Sequence, residues 1–188
     1  MRDMDQAARQ RLAQGGERYE GHAREMRELQ ERFGARLVEM IDQLGGWPTP
    51  DLVGEDGSAA AWLICQHAIS MPELQRRCLA LLKPLAARGV VPRKQFAYLL
   101  DRIRMFEGRP QVYGTQFVWN ERGELVPHPI EDPEHVEERR AFIGLPSLRE
   151  HARQVRETAG PPPRDVEAWR RDAETFARTV GWREVTRG

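Results

Sequence analysis

The sequence Gln111-Val-Tyr-Gly-Thr-Gln-Phe117 places two amides, a phenol and a hydroxyl around a central glycine. It separates a strongly helical half of the chain from a turn-rich connection. Polar side chains at this density, flanked by apolar Val112 and Phe117, are more typical of a site than of plain surface. We call residues 111–116 the polar segment and expect the fold to bring other polar groups to it.

Composition restricts the class of protein. The 188 residues suffice for one domain with terminal extensions, and 40% of them are hydrophobic, which can fill a core. The net charge is +0, which argues against nucleic-acid binding because nucleic-acid-binding domains usually carry a basic excess. The sequence shows no apolar signal segment and no window near the ~18 apolar residues of a membrane span. We therefore expect a soluble, cytoplasmic protein that binds neither nucleic acid nor membrane.

Apolar residues recur every three or four positions along the first half, which predicts amphipathic helices. Glycine and proline clusters mark the breaks between them. The predicted elements are a helix from about Glu20 to Leu44, a loop from Trp47 to Gly57, an apolar helix over 59–69 capped by Ser58, a helix from Pro72 to Arg88, and a helix over about 93–107.

The second half predicts a hairpin and three shorter helices. Residues 111–119 read as an extended strand with side chains alternating between two faces, and residues 124–130 as the return strand after an Asn120–Gly123 turn. Helices are expected to begin at Asp132, after Pro146-Ser147, and at Asp165, where capping side chains stand.

These elements predict a mainly α fold, a compact helical domain with one small β-hairpin and a C-terminal amphipathic helix. The expected parts are a charged extension over 1–19, the helical domain over 20–158, a proline-rich linker over 159–164, and the C-terminal helix and tail over 165–188. The last helix either docks on the body or packs on a second copy, which would make a homodimer.

The usual catalytic and cofactor signatures are absent from the sequence. It has no glycine-rich phosphate loop, no Gly-x-Ser-x-Gly elbow and no His-Glu-x-x-His helix. The two cysteines, Cys65 and Cys78, lie in apolar helical patterns, where free cysteine behaves as a small hydrophobe. The histidines show no paired ligand spacing; they are His22, His67, His128, His135 and His151. We therefore expect neither a metal site nor a bound cofactor.

Candidate site residues in the first half are His67, Gln66 and Gln75. His67 could act as a general acid or base, because its charge changes near neutral pH. The alternative is a histidine satisfied inside a packed helix. The two glutamines could orient a ligand through their amides, or they could bond to buried backbone groups.

Candidates in the second half lie on the fourth predicted helix and in the polar segment. Tyr98, Asp101 and Arg102 could supply a hydroxyl, a carboxylate for proton transfer and an anion clamp, or an Asp–Arg pair could brace the helix face. The polar segment could bind a ligand, or it could be a structural turn that ties the hairpin to the helices. Its candidate ligand-binding residues are Gln111, Tyr113, Thr115 and Gln116.

Several blocks of sequence resemble one family. They include Gly46-Trp47-Pro48, Gln66-His67-Ala68, Ala97-Tyr98-Leu99 with Asp101-Arg102, Tyr113-Gly114-Thr115-Gln116, and Arg139-Arg140 with Ile143-Gly144-Leu145. Over about residues 40–155 the chain is similar to the uncharacterised bacterial family called domain of unknown function 6624. The resemblance implies a mostly helical domain without an established activity. Its hallmark polar positions would be Gln66, His67, Gln75, Asp101, Arg102, Gln111, Tyr113 and Gln116.

Two functions remain open at this point. The first is a polar small-molecule site formed by the Gln66–His67 helix, the Tyr98–Arg102 face and the polar segment. It could be enzymatic, with His67 or Asp101 performing general acid–base chemistry in a hydrolytic or proton-transfer reaction. The alternative is a non-catalytic protein-interaction module, such as an immunity or regulatory partner, whose polar residues only hold the fold.

Overall fold

The computed structural model describes residues 19–184 of the chain. Within this range it contains seven α-helices and one antiparallel two-stranded hairpin, which confirms the mainly α prediction. None of the helices described has an apolar stretch long enough to cross a bilayer. The predicted charged extension over 1–19 lies, except for Tyr19, outside the described residues.

The chain divides into two compact units between Val91 and Pro92. The predicted boundaries of the helical domain, the linker and the C-terminal helix stay a prediction. The first unit contains α1 (Tyr19–Leu44), α2 (Pro50–His67) and α3 (Pro72–Ala87). The second contains α4 (Arg93–Phe106), β1 (Phe117–Trp119), β2 (Leu125–Pro127), a 3₁₀ turn (Pro133–His135), α5 (Val136–Phe142), α6 (Leu148–Thr158) and α7 (Val166–Thr179).

The core of the first unit forms from the apolar stripes of its helices. Helix α1 packs on α2, and α2 packs on α3. Phe33, Leu37 and Ile41 of the predicted α1 stripe are buried. Cys65 and Cys78 form no disulfide in the described part of the chain, and both are fully buried, as expected for cysteines that serve as small hydrophobes.

The start of α2 corrects the sequence prediction. The loop predicted from Trp47 to Gly57 is wrong beyond Thr49, because the helix already begins at Pro50, where proline suits the first helical position. Gly54, with φ 76°, then interrupts the helix with a kink. Ser58 is wrong as a cap, since it lies inside α2 and is buried.

The predicted hairpin is confirmed, but its first strand is shorter than expected. Phe117 pairs with Pro127 and Trp119 with Leu125 in antiparallel register. The Asn120 side chain accepts hydrogen bonds from the N–H groups of Arg122 (3.0 Å) and Glu124 (2.8 Å). An asparagine side chain that accepts hydrogen bonds from the backbone of its own turn is the arrangement that the sequence predicts here.

The polar segment itself is not a strand. Gly114 has φ 68°, and Gln111, Thr115 and Gln116 are all buried with it. The alternation of faces predicted over 111–119 is therefore wrong before Phe117. The physical reason is that the segment turns its N–H groups toward a single side chain of α4, as described below.

The helices that follow are partly as predicted. Asp132 is wrong as a cap: it adopts φ 48°, and its carboxylate contacts the His135 ring instead of a helix N–H. Ser147 does cap α6 by accepting the Glu150 N–H (3.1 Å). Asp165 caps α7 by accepting the Ala168 N–H at 2.8 Å.

Helix α7 docks on the end of α4 within the second unit. The Phe106 ring stacks on Trp182, with centroids 5.3 Å apart, and contacts the Phe176 ring at 6.2 Å. Arg183 donates to the carbonyls of Phe106 (2.8 Å) and Met105 (3.3 Å). The homodimer predicted through this helix stays a prediction.

Candidate functional site

Asp101 of α4 anchors the backbone of the polar segment. Its side chain is fully buried, and its carboxylate accepts the N–H groups of Val112 (2.7 Å), Tyr113 (3.1 Å) and Thr115 (3.0 Å). The Thr115 hydroxyl donates to the same carboxylate at 2.9 Å. An ionised carboxylate has only acceptors, so this set of donors matches it. The segment folds around one buried charge, which explains why it is not extended.

Arg140 of α5 binds the same segment through the opposite backbone groups. Its side chain is fully buried. Nη1 donates to the carbonyls of Tyr113 (2.5 Å) and Gly114 (3.2 Å), and Nε donates to the carbonyl of Pro146 at 2.7 Å. Three N–H groups of the segment therefore bond to a carboxylate, and two of its carbonyls bond to the Arg140 guanidinium.

Two glutamines close the segment on itself. Gln111 Nε2 donates to the carbonyls of Gln116 (2.9 Å) and His128 (2.8 Å), and its Oε1 accepts the Gln116 N–H at 2.8 Å. Gln116 Nε2 donates to the Thr115 hydroxyl at 3.0 Å. The bonds of the Gln111 side chain satisfy buried backbone groups of the segment and of the hairpin connection.

Gly114 is required for two reasons. Its φ of 68° is a conformation that side-chain-bearing residues adopt at a cost. A Cβ atom at this position would lie 2.8 Å from Leu148 Cδ1 and 3.1 Å from Ile130 Cδ1. The close approach leaves no room for a larger residue where Arg140 meets the segment.

Tyr98, Arg140 and His151 form a second polar group beside the segment, which we call the Arg–His cluster. The His151 ring makes edge contacts with the rings of Tyr98 (centroids 6.1 Å apart) and Phe117 (5.5 Å). Two buried atoms of the cluster, Arg140 Nη2 and His151 Nε2, have no hydrogen-bond partner among the described residues. Because buried polar atoms are normally paired, these two atoms are exceptions that need an explanation.

Burial and charge set the protonation states of the cluster. Burial lowers the pKa of His151, and the Arg140 charge lowers it further, while a backbone hydrogen bond with Thr115 acts in the opposite direction. The imidazole is therefore neutral at neutral pH. Burial raises the pKa of Tyr98, so its phenol keeps its proton. Burial also lowers the pKa of Arg140, although a guanidinium remains charged at pH 7.

The second unit brings together most of the predicted site residues. Asp101, Gln111, Thr115 and Gln116 share one hydrogen-bond network, and Tyr98 belongs to the Arg–His cluster. The remaining two are Tyr113, which is half-buried and contributes its backbone to the network, and Arg102, which is half-buried on α4. The ligand-binding roles of these residues stay predictions.

The other three predicted residues lie in the first unit. Gln75 is fully buried, and its Nε2 donates to the carbonyls of Cys65 (2.7 Å) and Gln66 (3.1 Å) at the end of α2. This is the backbone-bonding role given as its alternative. Gln66 is buried, and His67 is the last residue of α2 and half-buried. The predicted site that joins these residues to the polar segment stays a prediction.

Sequence reasoning missed Arg140 and His151 as functional candidates. His151 did leave a signal, because it falls on the apolar stripe of α6 beside Leu148, Ala152 and Val155. A polar residue on such a stripe must be buried, and a buried polar group needs a partner. Among the described residues, no group of three or more His, Cys, Asp or Glu side chains could hold a metal ion.

The model of a family of unknown function, DUF6624, matches residues 1–161. The chain belongs to this family. The predicted resemblance is therefore confirmed. The DUF6624 match includes the polar segment and the whole Arg–His cluster, and it ends before α7. No curated protein and no solved structure matches the chain.

Proposed function

We propose that the protein binds a small polar molecule at the Arg–His cluster of its second unit. One observation carries the proposal: Arg140 Nη2 and His151 Nε2 are both buried and both without a partner in the described part of the chain. Leaving a buried donor or acceptor unpaired costs about 1–3 kcal/mol. A ligand that bonds to both atoms would remove two such penalties. In this proposal the polar segment is scaffold, and the cluster meets the ligand.

The cluster offers complementary groups to such a ligand. The Arg140 Nη2 group can donate two hydrogen bonds to an oxygen atom. Since His151 Nε2 has no partner and the Thr115 backbone raises the pKa of the ring, we place the proton of the neutral ring on Nδ1. A neutral ring that donates from Nδ1 presents Nε2 as an acceptor. Tyr98, which keeps its proton, can donate from its hydroxyl.

The same arrangement supports general acid–base chemistry as the enzymatic version of the proposal. A neutral imidazole with an unpaired nitrogen can accept a proton from a substrate that Arg140 orients. This would suit a hydrolytic or proton-transfer reaction. The described bonds of Asp101 all run to the polar segment, so proton transfer there has less support. The catalytic roles of His67 and Asp101 stay predictions.

A thermal-shift screen of polar metabolites against wild type and His151→Phe tests the proposal. The variant keeps the ring contacts with Tyr98 and Phe117 and removes both ring nitrogens, the unpaired Nε2 and the Nδ1 on the side of the Thr115 backbone. We expect its free energy of unfolding to stay within about 1 kcal/mol of wild type. Ligands that stabilise wild type should fail to stabilise it. His135→Phe is the matched control, because the exposed His135 ring already contacts Asp132. A ligand that stabilises all three proteins equally would refute the site.

The competing hypothesis, a non-catalytic interaction module, has one observation in its favour. Phe142 at the end of α5 is 75% exposed, and the Arg93 guanidinium lies over its ring at 5.0 Å. Exposed aromatic residues are common in protein interfaces. Under this hypothesis no small molecule would stabilise wild type, and Phe142→Ser would weaken a protein partner's binding while His151→Phe would not.

A further inference from the structure

We infer that the ligand group bound at the Arg–His cluster is an oxyanion, such as a phosphate or a carboxylate, and that its binding adds a proton to His151. This inference rests on the proposed ligand site and names its chemical class. It also predicts a property that a neutral ligand would lack, namely that affinity depends on pH through a single imidazole.

The first step is the charge of Arg140. Its guanidinium is fully buried, yet all of its described hydrogen bonds go to neutral carbonyls, those of Tyr113, Gly114 and Pro146. Among the described residues no carboxylate forms an ion pair with it. Buried charges in proteins are usually paired, because removing an ion from water is costly. The missing partner of Arg140 is therefore an anion, and Nη2 is the atom left to meet it.

The second step is that the nearby carboxylates are engaged elsewhere. Asp101 and Glu137 interact with Arg140 electrostatically. Asp101 already accepts three N–H groups and a hydroxyl from the polar segment. Glu137 accepts the Leu148 N–H at 3.0 Å. Neither carboxylate therefore replaces a ligand at Nη2, where the geometry calls for an external oxygen atom.

The third step concerns the proton. An anionic oxygen and the acceptor Nε2 of neutral His151 would repel each other. A proton on Nε2 turns the repulsion into a charge-assisted hydrogen bond. The groups that act on His151 are Tyr98 from α4, whose ring contacts it, and Arg140 from α5, whose charge lowers its pKa. Asp101 and Glu137 interact with Arg140, and β1 and β2 carry no titratable side chain. In the free protein the positive charge of Arg140 disfavours a proton on His151. A bound anion offsets that charge and therefore favours the protonated ring.

The coupling between anion binding and protonation of His151 has a measurable size. Above the pKa of free His151, binding takes up to one proton from solution. The affinity for an anion that does not itself titrate should then fall up to about tenfold for each pH unit of increase. Such an anion bound only by Arg140 would show no proton uptake and little dependence on pH between about pH 6.5 and 8.5, since a guanidinium does not titrate there.

Isothermal titration calorimetry of the full chain with sulfate, acetate and inorganic phosphate tests the inference. Sulfate and acetate do not titrate near neutral pH, so their runs at pH 7.5 in two buffers of different ionisation enthalpy count the protons taken up by the protein. Phosphate against acetate separates a phosphate-type from a carboxylate-type ligand. We expect sulfate or acetate to bind wild type with uptake of about one proton. His151→Phe should weaken that binding at least about tenfold, and Tyr98→Phe by less.

The possible results separate the two proposals. Equal anion binding by wild type and His151→Phe would mean an adventitious ion only and would overturn the inference. Anion binding without proton uptake would overturn the role of His151. If neutral molecules bind at the cluster in the thermal-shift screen but none of the three anions does, the ligand class is wrong and the proposed site stands. If nothing binds, both proposals fail. His135→Phe should bind anions as wild type does.

Discussion

The polar segment meets two buried charges that are used differently. Asp101 meets three N–H groups and a hydroxyl, a set that matches the acceptors of a carboxylate. Arg140 meets three carbonyls and keeps Nη2 unpaired, and His151 keeps Nε2 unpaired. Asp101 and Arg140 are both fully buried. They differ in the hydrogen-bonding atoms that remain without a partner.

This difference separates scaffold from candidate site. A dense run of polar residues indicates only that many hydrogen bonds are made. Where each donor has an acceptor within the chain, the run is explained by the fold. Where buried atoms are left over, the fold alone does not explain them. By this criterion Asp101 belongs to the scaffold, and Arg140 and His151 belong to the candidate site.

The largest expected effect is at Asp101. In Asp101→Asn the side chain keeps its shape but loses its charge and one acceptor, so N–H groups of the polar segment lose their partner. Removing one member of a buried charged network costs about 3–5 kcal/mol. We expect a loss of this size in the free energy of unfolding, measured by urea denaturation at pH 7. Asp172→Asn, on the exposed face of α7, should change it by less than about 0.5 kcal/mol. If Asp101→Asn lost less than about 1 kcal/mol of unfolding free energy, Asp101 would not be the anchor of the polar segment.

A smaller effect is expected where Arg140 meets the segment. Gly114 and Gly144 both have positive φ, 68° and 74°, so alanine strains the backbone at either position. Only at Gly114 would the new Cβ meet neighbours, Leu148 and Ile130; at Gly144 nothing lies within 4 Å. Overpacking adds about 1–3 kcal/mol. Gly114→Ala should therefore be less stable than Gly144→Ala by that amount in paired urea titrations. Equal losses would mean that the approach of α6 to the segment is looser than described.

Much of the fold could be predicted from the sequence because its signals are local. The α1 stripe of Phe33, Leu37 and Ile41 follows the helical period, which depends only on residues three or four apart. The caps at Ser147 and Asp165 each bond to an N–H three residues later. The hairpin turn at Asn120 is equally local. Such features need no knowledge of distant parts of the chain.

The candidate site could not be predicted in the same way. The polar segment bends around Asp101, at least ten residues earlier in the chain, so its alternating pattern was misread as a strand. Asp132 was wrongly predicted for a different, local reason, because its carboxylate meets the His135 ring three residues later and not a helix N–H. Arg140 Nη2 and His151 Nε2 are known to be unpaired only once the partners of the neighbouring polar atoms are known. Those partners are distant in the sequence and are visible only in the structure.

The smallest expected effect is the pH dependence that His151 gives to stability. Its pKa in the folded protein lies below the ordinary value, mainly because of burial and then because of Arg140. Above about pH 6.5 both folded and unfolded states hold a neutral ring, so its contribution to stability is fully present. As pH falls below that value the unfolded state binds the proton first, and stability is lost until the folded state also binds it.

Comparison of wild type with His151→Phe isolates this contribution. We expect wild type to lose unfolding free energy relative to His151→Phe as pH falls from 7 toward 5. The slope of this loss should be at most about 1.4 kcal/mol per pH unit. His128, whose pKa is also lowered by burial, and His135, whose pKa is raised by Asp132, are present in both proteins and cancel in the difference. Urea titrations at matched pH values give the measurement. A constant difference across this range would mean that His151 is solvated, and the contrast between Asp101 and the Arg–His cluster would then reduce to Arg140 alone.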